Sequence, residues 1–151
     1  MTTEVRPARA EEMPEFARVV AGSLAMPADR FADLRPEWTL CAFDDGQLAT
    51  AYAAWPFTIR MNGQAMPVAG VTTVSTHPIY RRRGNLRAIM ETDFRRRHEQ
   101  AEPLAALYAS LAAIYQRYGY SVVTTVHAYS IEPHYLQFAR PQAIVGRANC
   151  R

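Results

Sequence analysis

The clearest hydrophobic pattern in the chain is a β-branched run that gives way to a helical period. Residues 71–76 read VTTVST, a composition typical of a β-strand. Between residues 86 and 99, apolar side chains recur at spacings of three and four, which predicts an amphipathic helix. Residues 81–85, RRRGN, separate the two. The pattern therefore predicts a strand, a basic turn that contains glycine, and a helix.

Similar patterns predict the elements on either side of this unit. Asp44-Asp45-Gly46 and Asn62-Gly63 are hairpin signals. In the strand from Gln47, Pro56 indicates a bend or a sheet edge, after which the strand is expected to resume as far as Met61. Gly119 is a suitable cap for the end of a helix. The predicted elements are a strand at 2–7, helices at 11–24 and 28–34, strands at 38–43, 47–55 and 65–76, a strand at 104–109, a helix at 111–118 and a strand at 122–131.

Composition limits the class of protein. The 151 residues, with 49% hydrophobic and 21% charged positions, are ordinary for one globular domain. A net charge of +3 suits an anionic ligand without requiring nucleic acid. Cys41 and Cys150 are too few for a disulfide framework, which favours a reducing compartment. No secretory leader or membrane-spanning run is visible, so we expect a cytoplasmic protein with no membrane partner.

The basic turn has a chemical use. The first turn of a helix presents backbone N–H groups without partners, and the helix dipole places partial positive charge there. Gly84 lets the backbone approach a ligand, and three arginines add full charge, so a phosphate group is the natural occupant. The spacing matches neither a P-loop nor a dinucleotide fingerprint. The alternative is a solvated arginine cluster at the start of a surface helix.

Two blocks resemble the GNAT acetyltransferases. Arg81-x-x-Gly84-x-Leu86 after a strand resembles the acetyl-CoA pyrophosphate loop [QR]-x-x-G-x-[GA], although Leu86 departs from the usual Gly or Ala. Residues 113–120, AIYQRYGY, resemble the later "LYxxxGF" segment. The wording of both blocks is most similar to the Eis (enhanced intracellular survival) branch. The resemblance implies an α/β fold of the GNAT acyl-CoA N-acyltransferase type, with a mixed central sheet flanked by helices, and acetyl-CoA as cosubstrate.

The resemblance also implies which residues bind the cosubstrate. The pantetheine arm is expected along the fourth strand, the pyrophosphate on the basic turn, and a further contact near Ser110 and Leu111. Leu111 replaces an acidic residue often seen in the branch, which puts any contact that needs that side chain in doubt. The implied binding residues are Val74, Ser75, Thr76, Arg82, Arg83, Gly84, Asn85, Leu86, Arg87, Ser110 and Leu111.

The implied general acid is Tyr115, which matches the family tyrosine that faces the cofactor sulfur. A phenol with a pKa near 10 can give a proton to a leaving thiolate. Tyr118 and Tyr120 lie in the same segment and compete for the role. A tyrosine packed in the core with its hydroxyl satisfied is the structural alternative.

The general base is missing from the sequence pattern. No Asp or Glu occurs between Asp45 and Glu91, which leaves His77 and His127 as candidates. In the Eis branch the base is understood to be the terminal carboxylate of the chain, for which Arg151 is not assumed to be equivalent. The acidic residues that can attract a cationic amine are Asp29, Asp33 and Glu37, in the region where the family forms its acceptor pocket. Trp38 and Trp55 can line that pocket or belong to the core.

The sequence therefore predicts an acetyl-CoA-dependent N-acetyltransferase that acts on a primary amine, in a small molecule or a lysine. The alternative is a non-catalytic acyl-CoA-binding domain that needs a further C-terminal domain for turnover. Histidines 77, 98, 127 and 134 show no ligand spacing, so no metal is expected. A nucleic-acid-binding module lacks a recognised motif.

The expected domain spans residues 1–131, with a strand or linker at 132–151 and no counterpart of the downstream domains that are usual in the Eis branch. The hexamers of that branch leave a homo-oligomer open.

Overall fold

A computed structural model describes residues 2–132 and His134 as a five-stranded sheet in the order β1-β2-β3-β4-β5, with helices on both faces. All neighbouring strands are antiparallel except β4 and β5, which are parallel. The predicted mixed α/β sheet is confirmed. The elements are β1 Thr3–Arg6, α1 Met13–Leu24, β2 Cys41–Asp44, β3 Gln47–Met61, β4 Gln64–Thr76, α2 Asn85–Glu99, β5 Leu104–Leu107 and α3 Ala113–Gln116, with 3₁₀ turns at Ala10–Glu12, Ala28–Phe31, Pro36–Trp38 and Pro78–Tyr80.

Both hairpin signals form tight turns. Asp45 and Gly46 join β2 to β3 with φ angles of 47° and 79°, and Asn62 and Gly63 join β3 to β4 with φ angles of 51° and 80°. Two consecutive left-handed residues are what the twist of an antiparallel hairpin favours, and Asn-Gly and Asp-Gly adopt them readily. The local sequence thus accounts for the two turns that join β2, β3 and β4.

The period of two along β3 divides the core. Ala51 and Ala53 face α1, whose Phe16 is fully buried against them. Tyr52 and Ala54 face the other way, toward the buried Ile89 of α2. The small alanines let both helices approach the sheet closely.

A bulge interrupts β4 immediately before its last residues. Ala53 pairs with Thr72 and Ala51 pairs with Ser75, so two residues of β4 lie opposite one residue of β3. Thr73, the first of these two, has a φ of 55°, which is strained for a β-branched residue. Its side chain is buried, and its hydroxyl has no hydrogen-bond partner among the described residues. Strain of this kind concentrates at functional sites.

The pairing of β4 with β5 ends before the bulge. The parallel ladder joins Val68–Val71 to Leu104–Leu107 and goes no further. Within the described residues, Thr72, Ser75 and Thr76 therefore pair with β3 alone, and the other edge of residues 72–76 has no partner strand.

The two remaining strand predictions have different outcomes. β3 runs through Pro56 to Met61, and of the two alternatives at Pro56 the structure has the edge: past Ala53 the strand pairs only with β4. Residues 122–131 form no strand: their backbone has no ladder partner among the described residues, and Val123 and Tyr129 are 91% and 85% exposed. An alternating pattern makes a strand only where a neighbouring edge takes its hydrogen bonds.

Smaller differences concern boundaries. Trp38 ends a 3₁₀ turn rather than beginning a strand, and the predicted helices at 28–34 and 111–118 contract to Ala28–Phe31 and Ala113–Gln116. Gly119 follows α3 with a φ of 88°, as expected of a residue that ends a helix. The predicted strand or linker at 132–151 lies almost wholly outside the described residues.

Candidate active site

A cavity of about 680 Å³ opens between the end of β4, the loop that follows it, the start of α2 and the C-terminal side of α3. Most of the charge around this cavity comes from arginines. The lining residues are Thr76, Tyr80, Arg81, Arg82, Arg83, Gly84, Asn85, Leu86, Arg87, Glu91, Phe94, Ile114, Arg117 and Tyr118.

The start of α2 is built to receive an anion. Gly84 occupies the N-cap position with φ 85° and ψ 1°, and no side chain of the described residues caps the helix. The first intrahelical bond runs from the Ala88 N–H to the Gly84 carbonyl at 3.0 Å, so the three preceding N–H groups face the cavity entrance without a helical acceptor. The first turn contains no acidic residue. Backbone donors and the helix dipole thus favour a negative ligand.

The arginines divide into two kinds. Arg83 donates to the Ile79 carbonyl at 3.0 Å and lies 5.1 Å from the Tyr80 ring centroid, so it holds the loop. Arg87 donates to Glu91 at 2.8 Å. Arg81 and Arg82 form no ion pair with any residue that the structure describes. These two exposed guanidinium groups are available to a ligand.

Arg82 itself has a φ of 63°. Alternating right- and left-handed residues turn successive N–H groups inward and form a concave anion site. The left-handed Arg82 and Gly84 therefore shape the backbone of the loop as well as supplying charge.

The free edge of β4 adjoins this loop. The Ser75 hydroxyl donates to the Thr73 carbonyl at 3.1 Å, and the Thr50 and Thr76 hydroxyls are 3.0 Å apart. The hydroxyl groups of Ser75 and Thr76 are thus engaged within the protein. Residues 74–76 therefore offer a ligand chiefly their backbone N–H and carbonyl groups. An extended chain with amide groups can add to such an edge as a further strand.

The three tyrosines near α3 lie in different surroundings. Tyr118 lines the cavity together with Ile114 and Arg117. Tyr115 lies beside this face, with its ring 6.0 Å from that of Tyr120, and burial raises the pKa of Tyr115 above its ordinary value of 10. Burial raises the pKa of Tyr120 to about 12, and its buried hydroxyl has no partner among the described residues. The role of Tyr115 as general acid stays a prediction.

The residues predicted to bind the acceptor amine do not lie in one place. Glu37, Trp38 and Trp55 line a smaller cavity of about 80 Å³, and the two indole rings are 5.0 Å apart. Asp29 and Asp33 are exposed and line neither cavity. Both tryptophans also pack against the core on the α1 face, so the structural and pocket roles coexist.

The candidate bases are also separated. His77 follows Thr76 at the end of β4, and its Nδ1 atom is buried without a hydrogen-bond partner among the described residues. His127 lies in the exposed segment after α3. α2 brings a carboxylate to the central strand that linear sequence could not show: Asp93 accepts a hydrogen bond from the Tyr52 hydroxyl at 2.7 Å and two from Arg97 at 2.7 and 3.0 Å. With three donors it is already neutralised within the core.

The structure brings together seven of the eleven predicted binding residues as cavity lining. Val74 and Ser75 adjoin it through the strand, whereas Ser110 and Leu111 lie in the turn before α3 and do not line it. Sequence reasoning missed the part played by the residues that complete its walls. Arg81 could have been found from its place at the head of the motif; the others needed the packing of α2 against α3: Tyr80, Glu91, Phe94 and Arg117.

The described residues contain neither a metal-binding cluster nor a membrane-spanning helix. No group of three or more histidine, cysteine or acidic side chains is arranged to hold a metal ion there. None of the helices in this part of the chain has the length and apolar character needed to cross a membrane.

Burial raises the pKa of the Cys41 thiol to about 11, which keeps it protonated and unreactive.

The fold and the site define an α/β domain with an arginine-rich cavity between the end of β4 and the start of α2. The family described as Acetyltransferase (GNAT) domain matches residues 4–123. The chain belongs to this family.

Individual relatives agree with that assignment. The chain is 40% identical over 73 residues to N-acetyltransferase Eis of Mycobacterium tuberculosis, a match covering 48% of this chain and 18% of Eis. It is 30% identical over 138 residues to an uncharacterized N-acetyltransferase of Streptomyces avermitilis, covering 85% and 33% of the two chains. The crystal structure of Eis1 from Mycobacterium abscessus matches with a TM-score of 0.73 at 28% identity, covering 82% and 32%. The resemblance to the Eis branch is thereby confirmed, and the matches span a third or less of each relative.

Proposed function

We propose that this domain is an acetyl-CoA-dependent N-acetyltransferase that moves acetyl to a primary amine, in a small molecule or a lysine side chain. The observation that carries the proposal is the meeting of an uncapped helix N-terminus, two unpaired arginines and a free strand edge around one cavity, all within the described residues. Family membership supports it. The relatives are named N-acetyltransferases, which does not favour the non-catalytic alternative.

The binding residues act in two groups. Backbone N–H groups of Asn85, Leu86 and Arg87, with the guanidinium of Arg82, bind the pyrophosphate. The backbone of residues 74–76 pairs with the amides of the pantetheine arm. Ser110 and Leu111 are assigned a peripheral contact. Bound acetyl-CoA supplies the acetyl group as a thioester.

A tyrosine is proposed to supply the proton that the leaving thiolate needs. Tyr115 is proposed to donate a hydrogen bond and then a proton to the departing sulfur. Since burial raises the pKa of Tyr115, the phenol is protonated throughout the neutral range and ready to donate. The phenolate left on Tyr115 regains a proton through water from the nitrogen that has formed the new amide bond, so the proton that the sulfur gains balances one that the amine loses. Tyr118, which lines the cavity directly, is the alternative donor.

No described carboxylate is free to accept the proton of the amine at this site: Glu91 is paired with Arg87, and Asp93 with Arg97 and Tyr52. The amine is therefore proposed to lose its proton to water. A cytoplasmic location and a homo-oligomer stay part of the proposal, with a small-molecule amine as the partner and neither nucleic acid nor membrane.

The proposal is tested first by binding. Calorimetry at low salt should show that acetyl-CoA and CoA bind and compete, and that Arg82→Ala weakens both by about tenfold or more, because a charge-assisted bond contributes about 1.5–3 kcal/mol. Arg95→Ala is the matched control: it removes the same charge from an exposed position further along α2, outside the cavity lining.

The outcomes separate clearly. Absence of acetyl-CoA binding by the wild-type protein would remove the proposed function. Equal weakening in Arg82→Ala and Arg95→Ala would reduce the effect to net charge and leave the cavity unassigned. An amine screen with thiol detection then identifies the acceptor, and a protein that binds acetyl-CoA without releasing CoA to any amine would favour the binding-domain alternative.

A further inference from the structure

A buried carboxylate lies directly beneath the anion site. Asp44, the last residue of β2, has a side chain only 1% exposed. Its Oδ2 atom accepts a hydrogen bond from Asn85 Nδ2 at 3.2 Å and lies 3.8 Å from Arg83 Nη1. Its Oδ1 atom accepts a hydrogen bond from the Thr3 hydroxyl at 2.8 Å. One side chain thus links β1, β2 and the start of α2.

The position of this carboxylate is unfavourable for anion binding in itself. A negative group close to the first turn of a helix repels a second anion at that terminus. Burying a carboxylate also costs free energy unless hydrogen bonds compensate it. The arrangement is therefore explained best by what Asp44 holds in place, and both groups it contacts on the cavity side belong to the loop and first turn of α2.

Asn85 is the key contact because it is the first residue of α2. It is 3% exposed, it lines the cavity, and its backbone N–H is one of the three without a helical acceptor. The residue before it, Gly84, is left-handed and unbraced by side-chain contacts, since a Cβ there would meet no described atom within 4 Å. The bond from Asn85 to Asp44 therefore ties the first residue of the helix to the sheet, next to the packing of Leu86 against the core.

We infer that Asp44 is a positioning residue: through Asn85 and Arg83 it fixes the first turn of α2 and the arginine loop in the conformation that receives the pyrophosphate. This inference rests on the proposed function. It predicts that Asp44 matters for ligands that carry the pyrophosphate and not for ligands that occupy only the β4 edge.

The experiment compares two ligands. Acetyl-CoA reaches the loop, whereas S-acetylpantetheine has the same thioester and arm without the pyrophosphate. Asp44→Ala should weaken acetyl-CoA by about tenfold to a hundredfold, the factor that corresponds to losing a hydrogen bond to a charged group. The affinity for S-acetylpantetheine, read by NMR titration, should not change. A residue that only stabilised the fold would move both affinities or neither.

Three further variants and one matched control sharpen the test. Asp44→Asn should restore acetyl-CoA binding to within about threefold, because an amide can accept from Asn85 and donate to the Thr3 hydroxyl. Asn85→Ala should reproduce the selective loss, and the double variant with Asp44→Ala should be no weaker than either single one. Asp45→Asn is the matched control, since it removes the same charge from the adjacent exposed residue and retains a side chain that tolerates its φ of 47°.

If Asp44→Ala does not fold, as judged by circular dichroism, Asn85→Ala carries the same two-ligand comparison. Equal losses for the two ligands, or unchanged acetyl-CoA affinity in Asn85→Ala, would overturn the inference while leaving the proposed function standing. Failure of the wild-type protein to bind acetyl-CoA would instead remove the proposed function itself.

Discussion

Replacing Gly84 with alanine separates the shape of the loop from its charge. Gly84 has φ 85° and ψ 1°, and an added Cβ would meet none of the described atoms within 4 Å. The substitution therefore introduces no steric clash. Its whole cost is the left-handed conformation of the backbone, which no other change in the loop isolates so well.

The magnitude follows from that conformation. Holding a non-glycine residue in the left-handed region costs about 1–2 kcal/mol. For a domain of this size, each kcal/mol lowers Tm by about 2–4 °C, so we expect a fall of about 2–8 °C. Rotating φ toward negative values relieves the strain but turns the first-turn N–H groups of α2 away from the ligand. Losing one charge-assisted bond there should weaken acetyl-CoA by about tenfold or more.

The assay pairs thermal unfolding with calorimetry, and Gly63→Ala is the control. Gly63 has a φ of 80° and equally open surroundings, but it lies at the tip of the β3–β4 hairpin, outside the cavity lining. Both variants should lose similar stability, and only Gly84→Ala should lose affinity. Gly84→Asn should recover part of both losses, since Asn tolerates this region better than Ala. Equal affinities for Gly84→Ala and Gly63→Ala would refute the proposed binding by the first turn of α2.

Three other results are expected. The acetylation rate should rise by up to about a hundredfold from pH 7 to pH 9, because only the neutral fraction of an amine with a pKa near 10.4 reacts. Tyr115→Phe should lower the rate at every pH. A rate that reaches a plateau near pH 7 would reveal a general base, and His77 would be the first residue to replace. The hydrogen bond from Arg6 lowers the pKa of Glu12 from 4.5 to about 2, so its stabilising effect should be complete above pH 4.5 and disappear as the pH falls toward 2; a Tm profile of Glu12→Gln that falls as steeply as the wild type in this range would contradict the assignment. Gly70→Ala brings a Cβ to 2.3 Å from the Phe57 ring, but this ring is 55% exposed and can turn toward solvent, so we expect a loss of no more than about 1 kcal/mol that disappears in a Phe57→Ala background; a penalty that persists there would place the clash elsewhere.

Local sequence determined the elements whose causes are local. The Asp-Gly and Asn-Gly turns set the hairpins, Gly119 ends α3, and the change from period two to period 3.6 across the arginine run predicted β4, the loop and α2. The Arg-x-x-Gly spacing identified the loop from its own residues because the helix start, the glycine and the charge are adjacent in the chain.

Tertiary structure decided everything that depends on pairing. The alternating residues 122–131 have no partner strand among the described residues, whereas Pro56 is tolerated because β3 has an open side there. The bulge at Thr73 appears only in the register between β3 and β4.

The different roles of similar residues within the site also depend on tertiary contacts. Arginines that look alike in sequence differ because Arg83 meets the Ile79 carbonyl and the Tyr80 ring, while Arg82 meets no described acidic side chain. Asp44 is 41 residues from Asn85 in the chain, so the contact exists only once β2 and α2 pack together. A sequence records which groups can bind, but which of them stay free for a ligand depends on the neighbours that folding supplies.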